Sequence, residues 1–436
     1  MPPLEPVASD LALTDEHPFA RRVFRKVASR LIPFLCILYI FNILDRANVG
    51  FARSRMREDL GLEDWEFDLA YGLFYFGYLA FEVPSNLLMR RYGARRWIGR
   101  IMISWGIVSC ATFAVVNGWS FSGVRILLGI AEAGFFPGII LYLTYWFPAR
   151  ERARVTAYFM AAIGFSGVFG NPLSGVIMYF CDGLGGLADW QWLFLLEGIP
   201  SVVLGLITLL WLTDRPMHAA WLTPDERDWL TRRMDHEEKD RVDKHGADHW
   251  RAMLNWRVWF LICLYFTVAT GANAAGAYVP TLIGKQFPQV DELQRGLLTA
   301  LPHVCAIIGM TIVSTSSDRT GERRVHVACA ALLAACGWGL CAVSSSPAVV
   351  LLGFCLAQTG MMSMLPVFWT LPTAFLSGAA AAGGIALINS VGNIGGIVGP
   401  TILGQFGLWS MAGIMFAGSV MALFLRRDPD RKPLAA

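Results

Sequence analysis

Long apolar stretches recur along the whole chain and limit the folds that it can adopt. A helix of about 20 apolar residues spans the hydrocarbon core of a bilayer, and stretches near that length lie at 31–52, 67–89, 97–117, 121–147, 155–180, 192–213, 256–284, 296–316, 325–345, 348–372, 380–405 and 407–425. Only 16% of the 436 residues are charged, against roughly 25% in soluble domains. The sequence therefore predicts an all-α membrane protein with twelve transmembrane helices.

Basic residues predict how these helices are oriented. With a cytoplasmic N-terminus, 29 of the 36 Lys and Arg fall on the cytoplasmic side, which is the distribution that membrane insertion favours. We expect both termini in the cytoplasm and the chain in the cell (inner) membrane. The first twenty residues show no apolar core with a cleavage site, so no signal peptide is expected. Nucleic-acid binding is not expected either, because no basic patch is interleaved with aromatic residues.

The second half of the chain repeats the first. The loop "NLLMRRYGARR" aligns with "STSSDRTGERR" through Gly93 and Gly321, and "GNPLSG" aligns with "GPTILG" through Pro172 and Pro400, both at an offset of 228 residues. Two motifs in one register predict two pseudo-symmetric six-helix halves, a plan typical of secondary transporters with a substrate site between the halves. The predicted segments are a cytoplasmic N-terminal segment 1–30, the halves 31–213 and 256–425, a cytoplasmic linker 214–255 and a tail 426–436.

The first and fourth predicted spans contain four charged side chains. A charge at the bilayer centre costs about 2.5–3.5 kcal/mol on insertion scales, so such residues indicate a function. Arg125 and Glu132 are seven residues apart in the fourth span, and two helical turns place them on one face. Asp45 and Arg46 are consecutive in the first span, and they need different partners because a helix turns them about 100° apart.

We expect Asp45 and Glu132 near Arg125, with Arg46 free to reach a ligand. Burial and a neighbouring arginine act in opposite directions on a carboxylate, and their balance can bring protonation within reach of physiological pH. Arginine binds a carboxylate through two parallel hydrogen bonds. Asp45, Glu132 and Arg125 are therefore the predicted proton-coupling group, and Arg46 is the predicted substrate-binding cation. A structural ion-pair cluster that only orients the helices is the alternative.

The repeat predicts different roles for the two halves. The offset places Asn273 opposite Asp45 and Gly360 opposite Glu132, so the C-terminal half lacks these acids and is expected to supply neutral contacts. The predicted neutral substrate contacts are Tyr78, Tyr265, Asn273, Trp369, Asn389 and Asn393. Hydrogen bonding between helices is the alternative for Asn393. Glu82, Glu197 and His303 are expected to have structural roles.

Several motifs resemble those of the major facilitator superfamily. "SSDRTGERR" keeps most of the loop signature of that superfamily, whereas the first copy has Arg90 in place of its acid. "NILDRANVGFA", "FEVPSN", "RILLGIAEAGFFPGIILYLTYWFP", "WQWLFLLEGIP" and "INSVGNIGG" are similar to motifs of its anion:cation symporter family. The signature residues, which the resemblance assigns to a cytoplasmic gate, are Arg91, Gly93, Arg95, Asp318, Arg319, Gly321 and Arg323.

The resemblance implies a function. Members of that family carry organic anions such as sugar acids, tartrate and aromatic carboxylates, usually with protons, by alternating access. It implies proton coupling at Asp45 and Glu132 and substrate binding at Arg46, and it supports Tyr78, Trp369 and Asn389 as substrate contacts.

Other function classes remain as alternatives. An uncoupled organic-anion exchanger or facilitator comes first, and a transporter-derived sensor or a membrane enzyme is less favoured. The sequence contains no HExxH, GxSxG or paired His/Cys spacing, so an enzyme, a metal site and a cofactor are not expected. The predicted partners are a small organic anion, protons and the lipid bilayer, and we expect a monomer.

Overall fold

The computed structural model describes residues 17–244, 256–372 and 378–425, and within them the chain is helical without β-strands. The predicted segments 1–30 and 214–255 are therefore described only in part, and the predicted tail 426–436 lies outside the described residues. The helices with described bounds are α1 (Pro18–Leu60), α2 (Asp64–Tyr92), α3 (Ala94–Ala111), α4 (Gly118–Glu132), α5 (Phe135–Leu143), α6 (Ala149–Cys181), α7 (Asp189–Trp211), α8 (Pro224–Lys244), α9 (Trp256–Gln286), α10 (Glu292–Thr320), α11 (Arg323–Val343), α12 (Pro347–Phe368), α13 (Gly378–Gly392), α14 (Gly395–Phe406) and α15 (Leu408–Leu423).

The predicted all-α membrane fold is confirmed. Ten segments of the described chain are long and apolar enough to cross a membrane, with α4 and α5 acting as one span and part of α13 joining α14 in another. The predicted span 67–89 corresponds to α2, which is not one of these ten segments. Its acidic and basic residues, with Glu82 among them, lower its apolar content. The predicted span 407–425 corresponds to α15, which has 16 residues and is about 24 Å long at ~1.5 Å per residue.

The break between α4 and α5 lies directly after Glu132. Gly134 has a φ of +84°, a left-handed conformation that side chains other than glycine rarely adopt. A Cβ atom at this position would also collide with Ser85 of α2. The glycine therefore ends α4 where its last side chain, the carboxylate of Glu132, faces the interior of the first half.

Each half packs its own helices, and among the described residues three helix pairs make the most extensive contacts between the halves. In the first half α3 packs on α7 and α2 on α4, and in the second half α11 packs on both α12 and α15. Between the halves α6 packs on α10, α1 on α9 and α2 on α14. Glycines allow the closest approach, since a Cβ on Gly296 of α10 would lie 2.5 Å from the carbonyl oxygen of Asn171 on α6.

The charged helix α8 is attached to the first half by an ion pair. Nζ of Lys26 on α1 donates to Oε2 of Glu226 at 2.6 Å. Burial of the carboxylate opposes its charge, but the hydrogen bond and charge of Lys26, with hydrogen bonds from Thr223, outweigh burial and hold the pKa of Glu226 below its ordinary value. Thr223 and Glu226 form a capping box at the start of α8, because each side chain accepts from the backbone N–H of the other.

Candidate substrate cavity and gates

A cavity of about 250 Å³ lies between the two halves. Helices α1, α2 and α6 line one wall, and α9, α10, α11 and α12 line the other. Of the predicted site residues, the cavity is lined by Arg46 and Asn273. The polar lining residues that were not predicted as site residues include Tyr39, Tyr71, Tyr75, Ser166, Asn171, Thr299, His303 and Gln358.

Arg46 is held by Glu132. Nε of Arg46 donates to Oε1 of Glu132 at 2.5 Å, and Nη2 contacts the same oxygen. Nδ2 of Asn42 also donates to this oxygen, at 2.7 Å. The carboxylate is fully buried, whereas 29% of the Arg46 side chain is exposed. The expectation of a free Arg46 is therefore wrong in this structure, because Glu132 occupies part of the guanidinium and leaves the rest facing the cavity.

Arg125 lies behind the aromatic residues of α2. Its guanidinium carbon is 4.7 Å from the ring centre of Phe74 and 5.4 Å from that of Tyr71. Nε and Nη1 are buried and have no hydrogen-bond partner among the described residues. Arg46 approaches the same Phe74 ring, at 5.3 Å, and the ring of Tyr78, at 5.0 Å. Two cations thus share one aromatic surface, which is an environment that favours an anion nearby.

Asp45 points away from these two arginines. It accepts hydrogen bonds from Oγ of Ser109 at 2.8 Å, from Oγ of Ser201 at 3.3 Å and from the indole of Trp105. These donors belong to α3 and α7. The predicted grouping of Asp45 with Arg125 is absent from the described contacts, because the turn between consecutive residues directs Arg46 to the cavity and Asp45 to the opposite side of α1.

The second half presents neutral polar groups to the cavity, as expected. Oδ1 of Asn273 accepts from the hydroxyl of Tyr75, which joins α9 to α2 across the halves. Nε2 of Gln358 on α12 lies 3.4 Å from Nδ1 of His303 on α10. His303 is hydrogen-bonded, as expected, and it also lines the cavity. The signal for the tyrosines is their spacing, since Tyr71, Tyr75 and Tyr78 follow one another at four and three residues and so lie on one side of α2.

Other predicted contacts lie outside the cavity lining. The ring centre of Tyr265 is 5.0 Å from that of Trp369 and 5.4 Å from that of Phe368, so these residues form an aromatic cluster. Asn389 and Asn393 lie at the break between α13 and α14, where the N–H of Asn393 donates to the carbonyl of Asn389 at 3.0 Å. Tyr78 is buried beside Arg46 and is not part of the lining.

The predicted gate loop of the second half contains an ion pair. Asp318 contacts Nη2 of Arg323 at 2.6 Å across Gly321, whose φ is +69°. Arg323 also donates to Oγ of Ser317 at 3.0 Å. Arg319 is exposed in the last turn of α10.

The first gate loop obtains its acid from elsewhere in the chain. Asp214, which follows α7, accepts from the backbone N–H of Arg95 at 2.8 Å. A Cβ on Gly93 would lie 2.9 Å from the same carboxylate oxygen, so the glycine makes room for this approach. Arg91 lies over the ring of Tyr92 at 5.7 Å. Asp214 therefore places an acid beside the loop that carries Arg90 at the acidic position of the motif, and the repeat alone could not identify it.

A polar cluster, buried except for its member Asp64, joins the halves at the opposite end of the helices. This Arg53 cluster consists of Arg53 on α1, Asp64 and Asp68 on α2, and Tyr278 on α9. Arg53 donates to Asp68 at 2.7 Å, to Asp64 at 2.8 Å and to the hydroxyl of Tyr278 at 2.9 Å. The same hydroxyl donates to Asp68 at 2.6 Å. The cluster links α1 and α2 of the first half to α9 of the second half, and none of its members was predicted.

Comparisons with known proteins agree with this architecture. The sequence matches the Major Facilitator Superfamily over residues 35–400. It is 45% identical over 420 residues to an Agrobacterium vitis protein named "Putative tartrate transporter", covering 94% of this chain and 92% of the relative. It is 39% identical to the "Quinolone resistance transporter" of Acinetobacter baumannii, covering 95% of this chain and 97% of the relative.

A solved structure shares the fold. The partially occluded, inward-open xylose transporter XylE from E. coli superimposes with a TM-score of 0.72 at 14% sequence identity, covering 94% of this chain and 99% of XylE. The predicted resemblance to the superfamily is confirmed. This multi-pass membrane chain belongs to the Major Facilitator Superfamily and is a secondary transporter rather than an enzyme.

Proposed function

We propose that the chain carries a small organic carboxylate together with protons, by alternating access, across the cell (inner) membrane. The observation that supports this most directly is the ion pair between Arg46 and Glu132. Among the described residues that line the cavity, Arg46 carries the only formal positive charge. A substrate carboxylate that reaches Arg46 competes with Glu132 for the same guanidinium.

Protonation of Glu132 removes that competition. A neutral carboxylic acid forms no ion pair, so the guanidinium becomes available for two parallel hydrogen bonds to the substrate. By linkage, a proton on Glu132 strengthens substrate binding, and bound substrate strengthens proton binding by the same factor. Proton and anion therefore bind together, and Arg125 adds positive charge behind the same aromatic surface.

The membrane potential gives an independent reason for coupling. An anion that enters a cell with a negative interior is opposed by about 2.3 kcal/mol per charge at 100 mV. One accompanying proton per negative charge removes this electrical opposition. The A. vitis relative is named for tartrate, an organic anion, which is in keeping with a substrate of this class.

Neutral residues complete the proposed substrate site. Asn273, Gln358 and His303 supply neutral contacts to the rest of the substrate. Tyr78, Tyr265, Trp369, Asn389 and Asn393 remain proposed contacts for a conformation in which the cavity extends to the aromatic cluster. We also propose that the chain is a monomer of two six-helix halves, 31–213 and 256–425. Both termini lie in the cytoplasm in this proposal, and the two loops form a cytoplasmic gate.

The test is made with purified protein in two steps. Thermal-shift measurements against sugar acids, dicarboxylates and aromatic acids identify a ligand, because a ligand stabilises the folded protein that binds it. That ligand is then added outside protein-containing vesicles and the external pH is recorded. We expect substrate-dependent alkalinisation that is absent from protein-free vesicles. Substrate exchange without any pH change would instead support the uncoupled exchanger.

A further inference from the structure

His303 and Gln358 form a polar pair on the cavity wall that the second half provides. Nε2 of Gln358 on α12 lies 3.4 Å from Nδ1 of His303 on α10, which is within hydrogen-bonding distance, and both side chains line the cavity. Neither side chain has a further hydrogen bond to a described residue. Their remaining polar atoms are also not among the buried atoms that lack a partner, so a ligand in the cavity can reach them.

Gly167 on α6 fixes the place of the His303 ring. A Cβ atom at this glycine would lie 2.1 Å from Nδ1 and 2.5 Å from Cε1 of His303. The imidazole therefore packs against the backbone of the first half at a point where any larger residue would displace it. A side chain that is held in place before the ligand arrives loses little entropy on binding, so the pair is suited to recognise a ligand group.

The neutral pair offers a ligand both an acceptor and a donor, whichever tautomer the ring adopts. If the Gln358 amide donates to Nδ1 of His303, the ring keeps an N–H at Nε2 and the amide keeps its oxygen. If the amide turns and accepts from an N–H at Nδ1, the ring keeps an acceptor at Nε2 and the amide keeps its NH2 group. A hydroxyl group both donates and accepts, so it can satisfy both positions. An ionised carboxylate only accepts, so it would leave the acceptor of the pair without a donor.

Other polar residues on the same wall are already engaged in part. Oδ1 of Asn273 accepts from the hydroxyl of Tyr75, and its Nδ2 donates to a backbone carbonyl of α9 at 2.8 Å. Asn273 therefore has an N–H left for a ligand. Oγ1 of Thr299 donates to a backbone carbonyl of α10 at 2.7 Å, which leaves it as an acceptor. Each of these residues offers a ligand one kind of hydrogen bond, whereas the pair of His303 and Gln358 offers both.

We propose that His303 and Gln358 form a subsite that binds a hydroxyl group of the substrate, and that the substrate is therefore a hydroxy acid. The carboxylate of this acid reaches Arg46 on the wall of the first half, while the hydroxyl binds the pair on the wall of the second half. An acid without the hydroxyl leaves the donor and the acceptor of the pair unpaired, which disfavours its binding. This inference rests on the proposed function, from which it takes the carboxylate site, and it adds the substrate class.

Matched acids with and without hydroxyl groups test the subsite in the purified full chain. The pairs are malate and succinate, γ-hydroxybutyrate and butyrate, gluconate and hexanoate, and para-hydroxybenzoate and benzoate, and Kd is measured by calorimetric titration. In at least one pair we expect the hydroxylated acid to bind about tenfold tighter or more than its partner. The inference would be overturned by equal affinities within every pair that binds, by tighter binding of the acids without hydroxyl, or by the failure of every hydroxylated acid to bind.

Two substitutions test whether the pair causes the preference. Gln358→Met removes the amide and keeps a side chain of similar length, and His303→Phe keeps a ring and removes both nitrogens. Each should weaken binding of the hydroxylated acid about tenfold and change the affinity of its partner little, so the two affinities become similar. Gln405→Met is the control, because it makes the same change on an exposed side chain of α14 and should keep the wild-type preference.

Either variant is sufficient if the other does not fold. A wild-type preference that persists in the variant that folds would overturn the inference. Equal losses of affinity for both acids of a pair would also overturn it, because they would indicate that the side chain only supports the structure of the cavity.

The outcome is separable from that of the proposed function. A hydroxyl preference that is lost in Gln358→Met, with no proton movement during wild-type transport, would support the subsite and refute proton coupling. Proton-coupled transport of an acid whose affinity does not depend on its hydroxyl would refute the subsite alone.

Discussion

Tyr278→Phe should open the end of the transporter at which the Arg53 cluster links the halves. Arg53, Asp64 and Asp68 all belong to the first half, so Tyr278 alone provides the cluster's contact from the second half. Its hydroxyl accepts from Arg53 at 2.9 Å and donates to Asp68 at 2.6 Å. Phenylalanine removes both hydrogen bonds and keeps the ring, which lies 3.9 Å from the guanidinium carbon of Arg53.

The size of the effect follows from the charges involved. A hydrogen bond to a charged group contributes about 1.5–3 kcal/mol net. Water replaces one of the two hydrogen bonds when the halves separate, so we count the loss of one bond. That loss shifts the equilibrium between joined and separated halves roughly 10- to 150-fold towards separation at this end. Only the cross-half contact is lost, so the fold of each half should be preserved.

Distances between spin labels measure this shift. Glu63 and Gln289 are exposed at this end, in different halves, and can carry labels after substitution by cysteine in a background without reactive native thiols. We expect Tyr278→Phe to increase the population with the longer label separation. Tyr142→Phe is the control, because the Tyr142 hydroxyl donates to the carbonyl of Thr213 within the first half at 2.7 Å. An unchanged distance distribution in Tyr278→Phe, or an equal change in both variants, would refute the reasoning.

Three further predictions concern other ion pairs. Arg46→Lys keeps the charge and loses the planar fork, so substrate affinity should fall about tenfold or more in thermal-shift titrations; near-normal affinity would remove Arg46 from the site. Asp318→Asn breaks a gate ion pair of 2.6 Å and should slow transport more than Arg90→Ala, with equal rates contradicting this. Lys26→Met should cost about 0.2–1 kcal/mol of stability at neutral pH. The pKa of Glu226 is lower in the folded chain than in the unfolded chain, so the ion pair stabilises the fold at neutral pH and loses its effect as the pH falls through the folded pKa. The cost of Lys26→Met should therefore vanish in acid, and a cost that persists there would exclude the ion pair as its cause.

The sequence predicted the features that depend on length, composition and repetition. Bilayer thickness fixes the length of an apolar helix, so the apolar stretches and the fold could be anticipated. The intramembrane charge at Arg46 and the repeat offset at Asn273 each identified a residue of the cavity lining. A charge within a span depends on one helix, and the repeat offset depends on the order of the helices. Both can be read from the sequence without knowledge of how the helices pack.

Contacts between distant helices could not be predicted in the same way. The seven-residue spacing placed Arg125 and Glu132 on one face, yet the partner of Glu132 is Arg46 from another helix, because pairing depends on how each helix is rotated. The same reason hid the contact between Tyr75 and Asn273. Asp214 was missed because the gate loop takes its acid from outside the repeated motif.

The role of Glu132 in coupling is tested most directly by following labelled substrate and protons in the same vesicles. Wild-type protein should accumulate substrate when an inward proton gradient is imposed, and each carboxylate should move with a proton. Glu132→Gln resembles the protonated acid permanently and leaves Arg46 unpaired. We expect this variant to exchange labelled for unlabelled substrate while losing accumulation driven by the pH gradient. Accumulation that persists in Glu132→Gln in response to the gradient would contradict coupling through the pair of Arg46 and Glu132.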